Sequence, residues 1–328
     1  MSKNQRTVFL GTSLLIGLGI SWFLGRRKRR TSKTPVGVGD AKAQREFIRK
    51  NTLFLREYPS LHALLTKVFI RALNTSAKDQ ESEHGSLSDA EVISMEDRLV
   101  AQPVVFYLGR AAADDFGELV ILSGNGRGIG AFKILRGMYE RIVTAAFIVK
   151  NPPEAGHFLL HSDIQKGKLW RRLVEIMPEI AQRYTAEQIQ DLQDRYQKAQ
   201  ANVKSEYCKK CNQPITQDEW TRVSLDTMAE KADPNLAALY ATCSLLPTFH
   251  LHATAFGLES RLRKTQTGYS FVETSEKEAW KALMLGHNLI LRLLMLQNSY
   301  FELGLDSEIN ERVEMFSYIW EGYAHAWL

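Results

Sequence analysis

Cysteine is scarce: three residues in 328, an odd number that argues against a disulfide framework and fits a reducing compartment. Local catalytic signatures are missing too. The chain has no G-x-S-x-G elbow, no H-E-x-x-H zinc pair and no kinase-type signature. No stretch shows sustained two-residue alternation bounded by hairpin signals, so strands should be few or absent. The excess of positive charge is local. The formal net charge of +5 is matched by five consecutive cations, Arg26 to Arg30, which leaves the rest of the chain near neutral. A general affinity for nucleic acid is therefore not implied.

What is present first is a membrane signal. Thr7 to Gly25 reads TVFLGTSLLIGLGISWFLG, uncharged and mostly apolar, with Trp22 and Phe23 at the end that meets the cations. That length and those flanks predict a spanning helix over 1–25. A cleavable secretory signal is the competing reading. No small-x-small cleavage site follows the run, and export would have to carry the cations across the bilayer. The cation excess on the C-terminal flank places that side in the cytoplasm, and Arg26 to Arg30 can also attract anionic lipid headgroups. Ser13, Gly17, Ser21 and Gly25 recur every four residues, a face through which two such helices could form a homodimer, or a chance ladder in a Gly-rich span.

A basic juxtamembrane linker is expected over 26–44, where TSKTPVGVGD has the composition of a flexible tether. A helical domain is expected over 45–328. Phe54, Leu61, Leu64, Leu65, Val68 and Phe69 recur at helical steps, with Pro59 as a break and SAKDQESEHGS, from Ser76 to Ser86, as a loop. Four Ser or Thr residues are followed three positions later by Glu or Gln, the reciprocal cap of a helix start. They are Ser88 with Glu91, Thr185 with Gln188, Thr216 with Glu219 and Ser275 with Glu278. After the last, Ala279, Leu283, His287, Ile290, Leu294 and Phe301 fall near one face. The fold class is all-α: one transmembrane helix, a basic tether and a large cytoplasmic helical bundle.

Four local patterns could carry chemistry. SGNGRGIG, Ser123 to Gly130, alternates its glycines but lacks the G-x-G-x-x-G order and a P-loop Lys-Ser/Thr pair, so it reads as a connection between packed helices. Cys208 and Cys211 have the spacing of half a zinc site; a reduced pair in a loop is the alternative, and no other cofactor is implied. Arg136 and Glu140 lie one helical turn apart and, with Lys133, make a polar strip that is either functional or a solvated ion pair. His250 and His252 offer acid–base capacity, but two positions apart on a helix they face different ways unless Pro247 makes the stretch irregular. The aromatic end FSYIWEGYAHAWL lacks interleaved cations and reads as a final packing helix.

The stretch LRGMYERIVTAAFIVKNPPEAGHF resembles the "Arg, apolar, apolar, Tyr or Phe, Glu" helix and Asn-Pro turn of domain-of-unknown-function family 5677, an uncharacterised, mainly bacterial group. YATCSLLPTFHLHATAFGLESRL is similar to the family's later Tyr, Ser or Thr, His segment, so the resemblance covers about Leu119 to Leu262. It marks Arg136, Glu140, Tyr240 and His252, and also Ser244, Thr248 and His250. The glycine density of SGNGRGIG departs from the family pattern. A bacterial source would make the membrane an inner membrane. HEPN-type ribonucleases of similar style use an Arg followed after four to six residues by His; here only Arg56 and His62 match, with Pro59 between them. The leading expectation is sensing, defence or scaffolding through contacts with an unidentified protein. The runner-up is hydrolysis of RNA or another phosphate ester, with Arg136 binding the anion and Glu140, His252 or His250 moving the proton; only then is nucleic acid a partner.

Overall fold

The structure, a computed structural model, describes residues 41–81, 89–204, 220–272 and 275–321. The expected anchor with its Ser13, Gly17, Ser21 and Gly25 face, the basic cluster and most of the tether lie outside these residues, as do Cys208, Cys211 and the Thr216–Glu219 pair.

Twelve α-helices and one short hairpin occupy the described residues. Helices α1 (Ala41–Lys50) and α2 (Thr52–Glu81) are the first elements of the described residues. Pro59 does not break α2. It sits on an exposed position, where water can hydrate the carbonyl that loses its amide partner. The expected loop from Ser76 is also corrected, because SAKDQE continues the helix to Glu81; Ala, Lys, Gln and Glu are good helix formers once a helix is nucleated.

The long α3 (Asp89–Gly124) carries Pro103 within it and packs along α4 (Gly128–Lys150). Residues 142–148 of α4, IVTAAFI, are all buried, as expected of a helix surrounded by neighbours rather than lying on a surface. Asn151 ends α4 by turning its Nδ2 onto Phe147 O at 2.9 Å, and Pro152 and Pro153 prevent continuation. Helix α5 (Glu154–Ile176) then pairs with α6 (Ala186–Lys204) through a 3-10 turn, Pro178–Arg183. The start of α6 is the reciprocal cap read from the sequence: Gln188 N donates to Thr185 Oγ1 at 3.2 Å and Thr185 N donates to Gln188 Oε1 at 2.9 Å.

Helices α7 (Leu225–Ala232) and α8 (Pro234–Ala238) lead into a π turn, Ala241–Leu245, and then α9 (Leu246–Leu251) and α10 (Ala255–Glu259). The hairpin β1 (Leu262–Thr265) and β2 (Gly268–Phe271) follows, antiparallel, with Leu262 opposite Phe271 and Thr265 opposite Gly268. Helix α11 (Glu276–Tyr300) returns through the centre against α3 and α4, and α12 (Asp306–Trp320) packs on α2 and α11. The expected face of α11 is all inside: Ala279, Leu283, His287, Ile290 and Leu294 are buried. This helix is long and apolar enough to cross a membrane, yet 67% of its most apolar window is covered by the bundle.

Two glycines fit the Gly-rich connection to this centre. Gly126 has φ +70°, a left-handed turn, and its carbonyl accepts from Ser275 N at 2.9 Å. A Cβ on Gly128 would overlap the backbone of Ala279 and Ser275, so the absent side chain lets α4 meet the start of α11. Ser275 flanks that helix start as expected but makes no side-chain cap. Ser88, expected to start α3, lies outside the described residues.

Candidate functional site

The site begins on α4. Phe132, Arg136 and Glu140 follow one another at four-residue steps, about 6 Å apart along the axis. Arg136 Nη2 lies 2.7 Å from Glu140 Oε1, with the two side chains 26% and 40% exposed, so the ion pair itself is worth only a few tenths of a kcal/mol (about 0.3). More informative is Arg136 Nε, which is buried and has no hydrogen-bond partner among the described residues. A buried donor left unsatisfied costs about 1–3 kcal/mol, so the position calls for an acceptor supplied from outside this set.

The π turn and α9 pack against α4. Here the irregularity anticipated from Pro247 takes a definite form. In a regular helix the proline ring would meet the carbonyl of Cys243; the wider turn, closed by Leu246 N donating to Ala241 O, relieves that clash. Ser244 and Cys243 are buried on it, and burial pushes the Cys243 thiol up to about 12, which makes it an inert packing group at neutral pH. Tyr139, fully buried on α4, donates to Leu236 O at 2.9 Å, and burial raises its phenol above the ordinary value. Tyr240 is half-buried beside it, and Thr248 turns its hydroxyl onto Ser244 O at 2.7 Å.

The two histidines part company. His250 is half-buried between Phe132, with ring centroids 6.1 Å apart, and Phe256, at 5.8 Å. Its Nδ1 lies 3.4 Å from Ser260 Oγ, which itself donates to Gly257 O at 2.9 Å. That arrangement asks for a proton on Nδ1 and leaves Nε2 as a base. Burial lowers the His250 pKa; Glu278 nearby opposes the shift, while Arg261 and Lys133 add to it. His252 caps the end of α9 in extended backbone and is exposed. Neither histidine bonds to Arg136 or Glu140 among the described residues; His250 packs on Phe132, the residue one helical turn before Arg136, and His252 is exposed at the end of α9.

Among the described residues no group of three or more His, Cys, Asp or Glu is placed to hold a metal ion. The expected zinc ligands, Cys208 and Cys211, are outside them. Arg56 and His62 are both exposed on α2, where six positions put them on different faces.

Residues 104–269, half of the chain, match the family described as a family of unknown function (DUF5677). The chain belongs to this family. The match begins within α3 and ends within the hairpin, so it takes in α4, the π turn and both histidines and is wider than the resemblance read from Leu119 to Leu262. No curated protein and no solved structure matches the chain.

One feature at the end of the matched region and just beyond it escaped sequence reading. Leu245, Phe249, Leu251, Phe256, Leu258, Leu262, Tyr269 and Phe271, all within α9, α10, the hairpin and their approaches, are between 37% and 72% exposed. The signal was present as an apolar density that matched neither a helical face nor a two-residue alternation.

Proposed function

We propose that this family member is a membrane-tethered helical module that works through protein contacts in sensing, defence or scaffolding, with the α9, α10 and hairpin region as its contact surface. The observation that carries this reading is the concentration of large exposed apolar side chains between Leu245 and Phe271. Single exposed apolar residues are ordinary, whereas a contiguous group marks an interaction surface. The hairpin adds to the argument, since a two-stranded ribbon is marginal in water unless something packs on it. Its Leu262, Tyr269 and Phe271 share one face by register, and all are exposed.

The bilayer end of the proposal rests on the apolar run at 7–25 and the cations that follow it. It holds the domain on the cytoplasmic side, within the reach of a short tether. The experiment is site-specific photocrosslinking of the full chain in membranes, with the probe at Phe256 or Tyr269 and a control at the exposed Tyr107 of α3. Adducts at the first two positions and none at the control are expected. Equal labelling at all three would sink the reading.

A second reading, phosphate-ester hydrolysis, is favoured by one observation, the buried and unpartnered Arg136 Nε on the helix whose Phe132 packs against His250. An oxyanion would supply the missing acceptor. Labelled RNA cleaved by the full chain, and left intact by folded Arg136→Gln and His250→Ala variants, would establish it; intact RNA with the parent would dismiss it.

A further inference from the structure

A cleft of about 960 Å³ opens between β1 and the start of α11, lined by Ser260, Leu262, Arg263, Lys264, Lys277 and Trp280 among others. The strand side of this cleft is β1, because residues 262–264 line it and none of β2 does. The hairpin register fixes which backbone groups face it. Val272 N donates to Arg261 O at 2.7 Å, so Arg261, Arg263 and Thr265 turn their amide and carbonyl toward β2, and those of Leu262 and Lys264 turn the other way. In the two-stranded sheet that outer edge has no strand partner among the described residues.

Charge sets the second condition. Lys50 and Glu276, which also line the cleft, lie 3.1 Å apart in a network with Glu46 and Arg49 whose cations and acids balance. Arg263, Lys264 and Lys277 have no ion-pair partner among the described residues, and Glu278 is the one acid set against them. The cleft is thus a strand edge with a positive lining and an apolar wall formed by Leu262 and Trp280.

We infer that this cleft takes an extended acidic peptide segment of a partner protein, which adds to the outer edge of β1 as a third strand. The inference rests on the protein-contact reading and names the chemistry of the partner. Main-chain bonds to Leu262 and Lys264 supply register; guest side chains on one face of the ribbon meet Leu262 and Lys264, and those between them, on the other face, meet Arg263. A free phosphate chain would satisfy the cations but not the strand edge, which is why a peptide fits better than a nucleic acid.

The test uses the full chain in detergent and a short fluorescein-labelled peptide of alternating valine and glutamate, read by fluorescence anisotropy. Binding that weakens as salt rises is expected. Reversing Arg263, Lys264 and Lys277 to Glu should weaken it by more than about tenfold, since three attractions become repulsions. Leu262→Pro removes one outward N–H and should cost about fivefold, one hydrogen bond's worth. Because that variant could disturb the hairpin, the same peptide N-methylated at every residue provides the protein-free check: it keeps every charge, has both strand edges blocked, and should not bind. Absence of binding, or binding indifferent to N-methylation and displaced by polyadenylate or by phosphatidylserine vesicles, would overturn the inference. Position-specific crosslinks at Phe256 without peptide binding would remove this inference alone; loss of both would remove the reading beneath it.

Discussion

The centre of the bundle and its α9-to-hairpin margin both carry many large apolar side chains, and they use them in opposite ways. At the centre, Phe54 is fully buried, its ring against Tyr58, Phe116, His287 and Trp320. His287 is enclosed there with it: Trp320 Nε1 donates to its Nδ1 at 3.1 Å, and burial pushes the imidazole down to about 3. At the margin, Phe256 is 49% exposed and its partner His250 is only half-buried. Residue type alone does not separate stability from recognition in this chain. The surroundings do: long helices on every side in one place, short elements and a two-stranded ribbon in the other.

The largest effect is expected at the centre of the bundle. Phe54→Ala should cost about 3–5 kcal/mol in urea unfolding, the transfer loss plus a cavity that four rings cannot refill. Gly128→Ala should come next, at about 1–3 kcal/mol, because the obstacle to a new Cβ is backbone of α11 rather than a movable side chain. Asp115 supplies a smaller, pH-dependent effect. Burial raises its carboxyl to about 6, with Arg141 pulling it down and Glu118 and Asp114 pushing it up. A carboxyl whose folded pKa lies above the unfolded value contributes stability below about pH 4 and loses it as pH rises through about 6. The Tm difference between the parent and Asp115→Asn should therefore change across that window and level off above it. The smallest stability effect belongs to the margin: Phe256→Ser should stay within about 0.5 kcal/mol of the parent while abolishing crosslinking through position 269. A large stability loss there would show that this face is core and not contact surface.

Much of the helical framework was legible from local patterns. The Thr185–Gln188 cap and the buried face of α11 follow from spacing, and the Arg136–Glu140 pair follows from one helical turn. Pro59 and the segment from Ser76 were misjudged because tertiary packing and helix propagation override local breakers. The candidate site was legible only in pieces. Its α4 half has helical periodicity, but the relation of His250 to Phe132 depends on the π turn, of which Pro247 announces an irregularity and not its form. The hairpin was hidden because all its residues are exposed, so no alternation of buried and solvated positions was written into it.

The π turn has a consequence for how this chain tolerates change. Each residue of an α-helix advances the direction of its side chains by about 100°. Removing one residue between Ala241 and Leu245 would convert the wide turn to a regular one and swing α9 through about that angle, carrying His250 off Phe132. Length at this point therefore works as an angular setting, and a deletion here would act less like a shortened loop than like a dial moved by one notch.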